Sequence, residues 1–85
     1  MKYTLGVIGA GNMGGALVRG IVKAGALSPD RIVVADADAA RAGALAAETG
    51  VAQAKTNTEL ASASEFVVIA VKPSVVPAVL GEIAG

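Results

Sequence analysis

A glycine pattern placed directly after a short apolar run constrains the fold of this sequence more than any other feature. The pattern Gly9-x-Gly11-x-x-Gly14 follows the apolar residues 3–8, and a segment with helical periodicity follows the glycines. In such a pattern the first glycine permits a tight strand-to-helix turn, the second lets a pyrophosphate approach the backbone, and the third allows close helix–strand packing. A helix that begins near Asn12 or Met13 would direct its N-terminal amides toward those phosphates. The context therefore predicts a dinucleotide-binding turn, against the alternative of glycines that only form a turn.

The composition limits the classes of protein to which this chain can belong. Its 85 residues allow one small domain, and its 54% hydrophobic content requires either a sheet covered on both faces or a partner surface. Seven basic residues balance seven acidic ones, which removes any electrostatic reason to expect binding to nucleic acid or to an anionic membrane. The longest apolar run, residues 66–71, is far shorter than the roughly 20 residues that a membrane helix needs.

The lack of cysteine and histidine narrows the chemistry further. Without cysteine the chain forms no disulfide, which fits a cytoplasmic location, and without either residue we expect no transition-metal site. Ser62 and Ser64 have no histidine base that could activate a serine nucleophile. No general acid converges on the expected nicotinamide position either, so no catalytic residue is predicted.

Periodicity along the chain predicts strands that alternate with helices. Strands are predicted at residues 3–8, 31–35, 51–54 and 65–71, and helices after the glycine turn, at 39–49, from 57 or 58 to about 63, and after Ser74. In the first helix the predicted buried face consists of Met13, Ala16, Leu17, Gly20, Ile21 and Ala24. The order β-α-β-α-β-α-β-α predicts an α/β fold, a Rossmann-type doubly wound parallel sheet with strand order 3-2-1-4. A dinucleotide would lie at the switch point, between residues 9–14 and 71–73.

Polar residues near the carboxyl ends of these strands are candidates for contacts with a dinucleotide. Asp36 ends the second strand, where a carboxylate accepts hydrogen bonds from an adenosine ribose and favours NAD; the alternative is a solvated or turn-forming aspartate. Arg41 or Lys55 could instead accommodate the 2′-phosphate of NADP, so the choice between NADP and NAD stays open. Asn57 either caps a short helix or contacts the adenosine end, and Lys72 either approaches the cofactor or only solvates a strand end.

The non-glycine residues of the turn receive different interpretations. Asn12 could present its side-chain amide beside the phosphates, whereas Met13 is expected to pack as an ordinary helix residue.

A complete dinucleotide fold has two mononucleotide halves and six strands, of which this chain supplies about four. We therefore expect only the N-terminal portion of such a fold, which by itself binds dinucleotide weakly, catalyses nothing and self-associates through uncovered apolar surface.

Four segments together carry a resemblance to a known family. They are Gly9-Ala-Gly-Asn-Met-Gly14, Gly50-Val51, Asn57 and Ala70-Val-Lys-Pro73, and with them nearly the whole chain resembles the N-terminal half of pyrroline-5-carboxylate reductase. The resemblance implies reduction of the cyclic imine 1-pyrroline-5-carboxylate to proline with NADPH or NADH. It further implies that residues 1–85 are the dinucleotide-binding Rossmann domain, followed by a helical C-terminal domain that builds a homo-oligomer and supplies much of the substrate pocket.

The resemblance also assigns roles to individual residues. The glycine turn would hold the pyrophosphate, the segment around Asp36 would meet the adenosine ribose, Asn57 would contact the adenosine, and the end of the fourth strand would line the nicotinamide side. The cofactor-binding residues implied in this way are Gly9, Ala10, Gly11, Asn12, Met13, Gly14, Asp36, Asn57, Ala70, Val71, Lys72 and Pro73. Substrate contacts are expected beyond residue 85. Many members carry Ser, Thr or Arg after the second strand, and Asp36-Ala37-Asp38 departs from that pattern, which argues against a strict preference for NADPH.

Two other functions stay open at this point. Another Rossmann dehydrogenase, of the hydroxyacid or prephenate type, shares the glycine turn, although Lys72-Pro73 favours pyrroline-5-carboxylate reductase. A non-catalytic nucleotide-binding or interaction module fits if 85 residues is the natural length.

Overall fold

The computed structural model describes residues 2–84, and in this part of the chain four strands alternate with four helices. The strands are β1 (Tyr3–Ile8), β2 (Ile32–Ala35), β3 (Ala52–Gln53) and β4 (Ser64–Ile69). The helices are α1 (Asn12–Ala24), α2 (Ala39–Thr49), α3 (Asn57–Ala63) and α4 (Val76–Ala84), and a short 3₁₀ turn covers Pro29–Arg31. The predicted alternation of strands and helices is therefore confirmed.

The four strands form one parallel sheet in the order β3-β2-β1-β4. Val7 in β1 lies opposite Val34 in β2 and Val68 in β4, which fixes the register on both sides of the central strand. The order agrees with the predicted 3-2-1-4 arrangement and confirms the Rossmann-type α/β fold, because right-handed crossovers place the second and third strands on one side of β1.

Each face of the sheet has its own apolar core. Side chains of β1 and β2 that point to one face pack with Val18 of α1 and Leu45 of α2. Side chains that point to the other face pack with Leu60 of α3 and Val79 of α4. Val18 and Leu60 are completely buried, and burial of a side chain of this size stabilises the fold by about 1.5–3 kcal/mol. The short β-branched strand β2 is buried along its full length, as expected for a strand covered on both faces.

The face of α1 that meets the core differs from the predicted one. Gly14, Gly15 and Val18 are buried, whereas four of the six predicted residues are exposed, namely Met13, Ala16, Gly20 and Ala24. The prediction was wrong because it followed apolar side chains. The first turn of α1 instead approaches the sheet through glycine backbone, and this shifts the buried face by about one residue.

Capping interactions determine both ends of α2 and the start of α3. The Asp38 carboxylate accepts hydrogen bonds from the Ala40 and Arg41 amides, and α2 ends at Gly50 in the left-handed conformation, with φ of 82°. At α3 the cap is Thr56, whose hydroxyl accepts from the Glu59 amide at 3.0 Å. The predicted caps Asn57 or Thr58 were therefore wrong by one or two residues, and the Asn57 side chain is free for another role.

Strand and helix boundaries differ from the predictions by a few residues elsewhere. β2 begins at Ile32 because residues 29–31 form the 3₁₀ turn, in which Arg31 donates hydrogen bonds to the Thr4 hydroxyl and the Lys2 carbonyl. β3 contains two residues instead of four, and β4 covers 64–69 instead of 65–71. α4 begins at Val76 after a turn over 73–75, one residue later than a cap at Ser74 would place it.

One exposed ion pair joins α1 to α2. The Arg19 guanidinium donates two hydrogen bonds to Glu48, at 2.6 Å and 3.0 Å. These hydrogen bonds lower the pKa of the Glu48 carboxyl and raise the pKa of Arg19. Because both side chains are half-exposed, the pair contributes little to stability.

The outer edge of the sheet carries apolar side chains that the described residues do not cover. Phe66 of β4 is 64% exposed and Val68 is 36% exposed, on the face that carries Leu5 and Val7.

Among residues 2–84 no helix has the length and hydropathy that would let it cross a bilayer. Within the same residues there is also no group of three or more acidic side chains that could hold a metal ion.

Candidate functional site

A cleft of about 890 Å³ opens at the carboxyl ends of β1 and β4, the predicted switch point. Its walls come from the glycine turn, the end of β2, the start of α3 and the segment after β4. The cleft-lining residues include all of the predicted site residues except Gly14, namely Gly9, Ala10, Gly11, Asn12, Met13, Asp36, Asn57, Ala70, Val71, Lys72 and Pro73. The topology therefore brings together residues that are separated by more than 60 positions in the sequence.

Gly9 forms the tight turn between β1 and α1. Its φ of 105° lies in the region that favours glycine, and its amide donates a hydrogen bond to the Ala35 carbonyl at 2.8 Å. A Cβ at this position would lie 2.7 Å from the Ala70 carbonyl oxygen. Ala70 is itself tied to β1 by a 2.8 Å hydrogen bond from its amide to the Ile8 carbonyl. Gly9 is thus held between the ends of β2 and β4.

Gly14 and Gly11 serve opposite purposes in the turn. Gly14 is buried beneath the cleft, where an added Cβ would overlap the Gly9 carbonyl oxygen, so it packs α1 against the turn instead of lining the site. A Cβ on Gly11 would project into the cleft, where the nearest atom beyond its chain neighbours is Nη1 of Arg41 at 3.6 Å. The fold requires glycine at position 14, because a side chain there would collide with the turn. At position 11 the fold leaves room for a side chain, and glycine only keeps the cleft empty.

The N-terminus of α1 faces the cleft without a capping side chain. Gly11 is the N-cap residue, no side chain in residues 2–84 caps the helix there, and its first turn contains no acidic residue. The first intrahelical hydrogen bond runs from the Gly15 amide to the Gly11 carbonyl at 2.8 Å, which leaves the preceding amides unbonded within the helix. Free amides and the positive end of a 13-residue helix make this edge of the cleft suited to an anionic group.

Asp36 links the glycine turn to the segment after β2. One carboxylate oxygen accepts a hydrogen bond from the Ala10 amide at 2.7 Å, and the other accepts from the Asp38 amide at 2.8 Å. Arg41 lies 3.8 Å from the same carboxylate, and the Asp36 side chain is only 11% exposed. The turn-forming alternative for Asp36 is thus observed, and it is combined with a position on the wall of the cleft.

Next to the main cleft lies a smaller cavity of about 200 Å³, between the end of β2 and the start of α3. Lys55 lines this cavity, whereas Arg41 lines the main cleft. Asn57 and Glu82 border both spaces, and the Asn57 side-chain amide donates a hydrogen bond to Glu82 at 3.2 Å. Sequence reasoning missed Glu82, because it lies 25 residues from Asn57 and no local pattern joins the two positions.

The segment after β4 forms the opposite wall. Ala70 is buried, Val71 is half-buried, and Lys72 and Pro73 are exposed at the rim. Across the cleft, Met13 is 66% exposed, so the expectation that it packs in the core was wrong. Met13 occupies the solvent side of the first helical turn because Gly14 takes the position against the sheet. The wall after β4 therefore combines an apolar surface with one lysine, a combination suited to a flat, partly apolar ligand.

Comparisons with known proteins agree with the fold and with the position of the cleft. Residues 4–85 match the family model described as NADP oxidoreductase coenzyme F420-dependent. The chain is similar to pyrroline-5-carboxylate reductase from Glycine max, with 40% identity over 83 residues that cover 96% of this chain and 30% of the relative. The resemblance inferred from the glycine turn and from residues 70–73 is confirmed.

Solved structures give the same result. A pyrroline-5-carboxylate reductase from Coxiella burnetii superposes with a TM-score of 0.87 at 29% identity, over 98% of this chain and 30% of that one. A pyrroline carboxylate reductase from Plasmodium falciparum, solved with NADP bound, superposes with a TM-score of 0.80 at 30% identity, over 98% of this chain and 29% of that one. The chain spans about 30% of the length of the curated relatives that it matches.

Proposed function

We propose that residues 2–84 form the NADPH-binding part of a pyrroline-5-carboxylate reductase. The premise is that this chain belongs to the family described as "NADP oxidoreductase coenzyme F420-dependent". The observation that carries the proposal is the cleft at the switch point of the sheet, into which the N-terminus of α1 points at Gly11 without a capping side chain. The substrate class follows from the relatives, which are pyrroline-5-carboxylate reductases from plants, bacteria and an archaeon.

The residues of the cleft fit a dinucleotide phosphate by three features. The space beside Gly11 is open, the first amides of α1 are unbonded within the helix, and no acidic side chain lies in that turn. We assign the pyrophosphate to the turn from Gly9 to Gly14, with Gly14 acting through packing, and the adenosine to Asp36 and Asn57. Residues 70–73 are assigned to the nicotinamide side.

When bound, NADPH would supply the hydride that adds to the carbon of the C=N bond of 1-pyrroline-5-carboxylate, and a proton on the nitrogen would complete the reduction to proline. The role of these residues in that reaction is to bind and orient the dinucleotide. The relatives are about three times as long as this chain, so the proposal places the substrate contacts in a further, helical domain, and the chain alone is expected to be inactive. The proposal includes a cytoplasmic location, which a sequence that forms no disulfide fits.

Calorimetric titration with NADPH and, separately, with NADH tests the cofactor assignment. We expect NADPH to bind at least about ten-fold more tightly, since one charge-assisted contact contributes about 1.5–3 kcal/mol. The physical reason is that the Arg41 guanidinium is 55% exposed and lies 3.8 Å from the Asp36 carboxylate, so it offsets that negative charge and is able to meet a 2′-phosphate. Tighter binding of NADH would reassign Asp36 to the ribose hydroxyls, and binding of neither nucleotide would contradict the proposed site.

The proposal places the contacts of a homo-oligomer in the further, helical domain, and it expects this chain by itself to self-associate through the uncovered edge of the sheet. Phe66 is the largest exposed apolar side chain on β4, and exposed apolar strands at a sheet edge favour association. We expect sedimentation velocity to show concentration-dependent association that Phe66→Ser reduces. Leu80→Ser is the matched control, because Leu80 is 48% exposed on α4, away from that edge. A wild-type chain that stays monomeric at high concentration would rule out this route to assembly.

A further inference from the structure

We propose that Glu82 is a positioning residue of the dinucleotide site, which acts by fixing the orientation of the Asn57 side-chain amide. This inference rests on the proposed function, because it concerns how the same cleft recognises its nucleotide. Glu82 is in the last full turn of α4 and Asn57 is the first residue of α3. The two residues come together only because α3 and α4 pack side by side on one face of the sheet.

Two hydrogen bonds join the helices at this point. The Asn57 side-chain nitrogen, Nδ2, donates to Oε2 of Glu82 at 3.2 Å. The Thr58 hydroxyl donates to the main-chain carbonyl of Glu82 at 3.3 Å. The second contact does not involve the Glu82 side chain, so α4 stays docked on α3 when the carboxylate is replaced. Substitution of Glu82 therefore tests the orientation of Asn57 separately from the packing of the helix.

The chemistry of a carboxylate decides which way the amide faces. An ionised carboxylate only accepts hydrogen bonds, so the Asn57 group that faces Glu82 must be its NH₂ and not its carbonyl. The Asn57 carbonyl oxygen then points away from Glu82, and within residues 2–84 it accepts no hydrogen bond from any side chain. Because Asn57 borders both the main cleft and the smaller cavity, this oxygen is available to a ligand as an acceptor.

An acceptor at this position selects a ligand group that carries a hydrogen. In the adenosine half of a dinucleotide these groups are the ribose hydroxyls and the adenine amino group. A glutamine at position 82 both donates and accepts, so it pairs with Asn57 in either orientation and the preference for one orientation is lost. We therefore expect Glu82→Gln to weaken NADPH binding by about three- to ten-fold, the range set by one hydrogen bond.

Simple electrostatics predicts the opposite sign, which makes the experiment decisive. NADPH is an anion, and Glu82 places a negative charge on the wall of the cleft. If Glu82 acted only through its charge, its removal would strengthen binding of the anion. Glu59→Gln is the matched control, because it removes the same charge from the exposed side of α3. Glu59 lines neither the cleft nor the smaller cavity. We expect Glu59→Gln to leave the NADPH affinity unchanged or slightly raised.

The test is calorimetric titration with NADPH of the wild-type chain, the single variants Glu82→Gln, Glu59→Gln and Asn57→Ala, and the double variant Glu82→Gln/Asn57→Ala. Asn57→Ala removes the oriented group, so adding Glu82→Gln to it should cause no further weakening. The effect of Glu82→Gln should also appear with 2′-phospho-AMP and be absent with nicotinamide mononucleotide. Circular dichroism melting curves that coincide with that of the wild type show that the fold is intact.

The outcomes separate this inference from the proposed function. A wild-type chain that does not bind NADPH overturns the proposed function and the role of Glu82 with it. A wild-type chain that binds, together with a Glu82→Gln variant that binds equally or more tightly, overturns only the role of Glu82. A weakening that persists on the Asn57→Ala background overturns it as well, because the effect would then not pass through Asn57.

Discussion

Replacing Gly14 with alanine is expected to destabilise this chain by about 3 kcal/mol or more, within the range of severe overpacking. The added Cβ would overlap the Gly9 carbonyl oxygen and lie 2.8 Å from the Gly9 carbonyl carbon. The turn is tied to the end of β2 by the Gly9–Ala35 hydrogen bond and packs against Ala70 after β4, so its backbone cannot shift without disturbing those contacts. For a domain of this size the loss corresponds to a fall in Tm of about 12–24 °C. Thermal and urea unfolding followed by circular dichroism measures it.

Gly20→Ala is the matched control on the same helix. A Cβ at Gly20 would have no atom within 4 Å, so the substitution only improves helix propensity, by about 0.5–1 kcal/mol. The two variants therefore change Tm in opposite directions, although both make the same chemical change in α1. Similar shifts in both variants would show that Gly14 does not hold α1 against the turn.

Replacing Gly11 with valine is expected to weaken NADPH binding by at least about 100-fold, or about 2.7 kcal/mol, while the fold is retained. The backbone at Gly11 is extended, with φ of −78° and ψ of −154°, and because φ is negative the position does not demand the left-handed conformation that favours glycine. Its side chain would fill the space between the turn and Arg41 in which we place the pyrophosphate. Titration calorimetry measures the loss of affinity, and a melting curve on the same sample verifies the fold.

Gly20→Val provides the control for the Gly11 variant, because it introduces the same side chain on the exposed side of α1. We expect it to bind NADPH as the wild type does. If Gly11→Val keeps its fold and still binds NADPH, the phosphate does not lie against the glycine turn. The Gly11 and Gly14 substitutions together then distinguish a glycine needed for packing from a glycine needed for binding.

Much of the candidate site could be predicted from the sequence because local interactions determine it. The turn at Gly9 and the cap at Asp38 both follow from patterns within a few residues of one another. The predictions failed where side-chain periodicity was a poor guide to the buried face. In α1 glycine backbone replaces an apolar side chain at the contact, and consequently Met13 faces the cleft instead of the core.

The sequence by itself determined the order of strands and helices and the position of the ligand cleft, because hydrophobic periodicity, crossover handedness and the glycine turn together favour this arrangement. Only the tertiary structure decided the partners of the polar side chains within that cleft. Asp36 bonds the Ala10 amide across 26 residues, and Asn57 bonds Glu82 across 25. Such contacts depend on how whole strands and helices are placed side by side, and a carboxylate or an amide has no local preference that would reveal its distant partner.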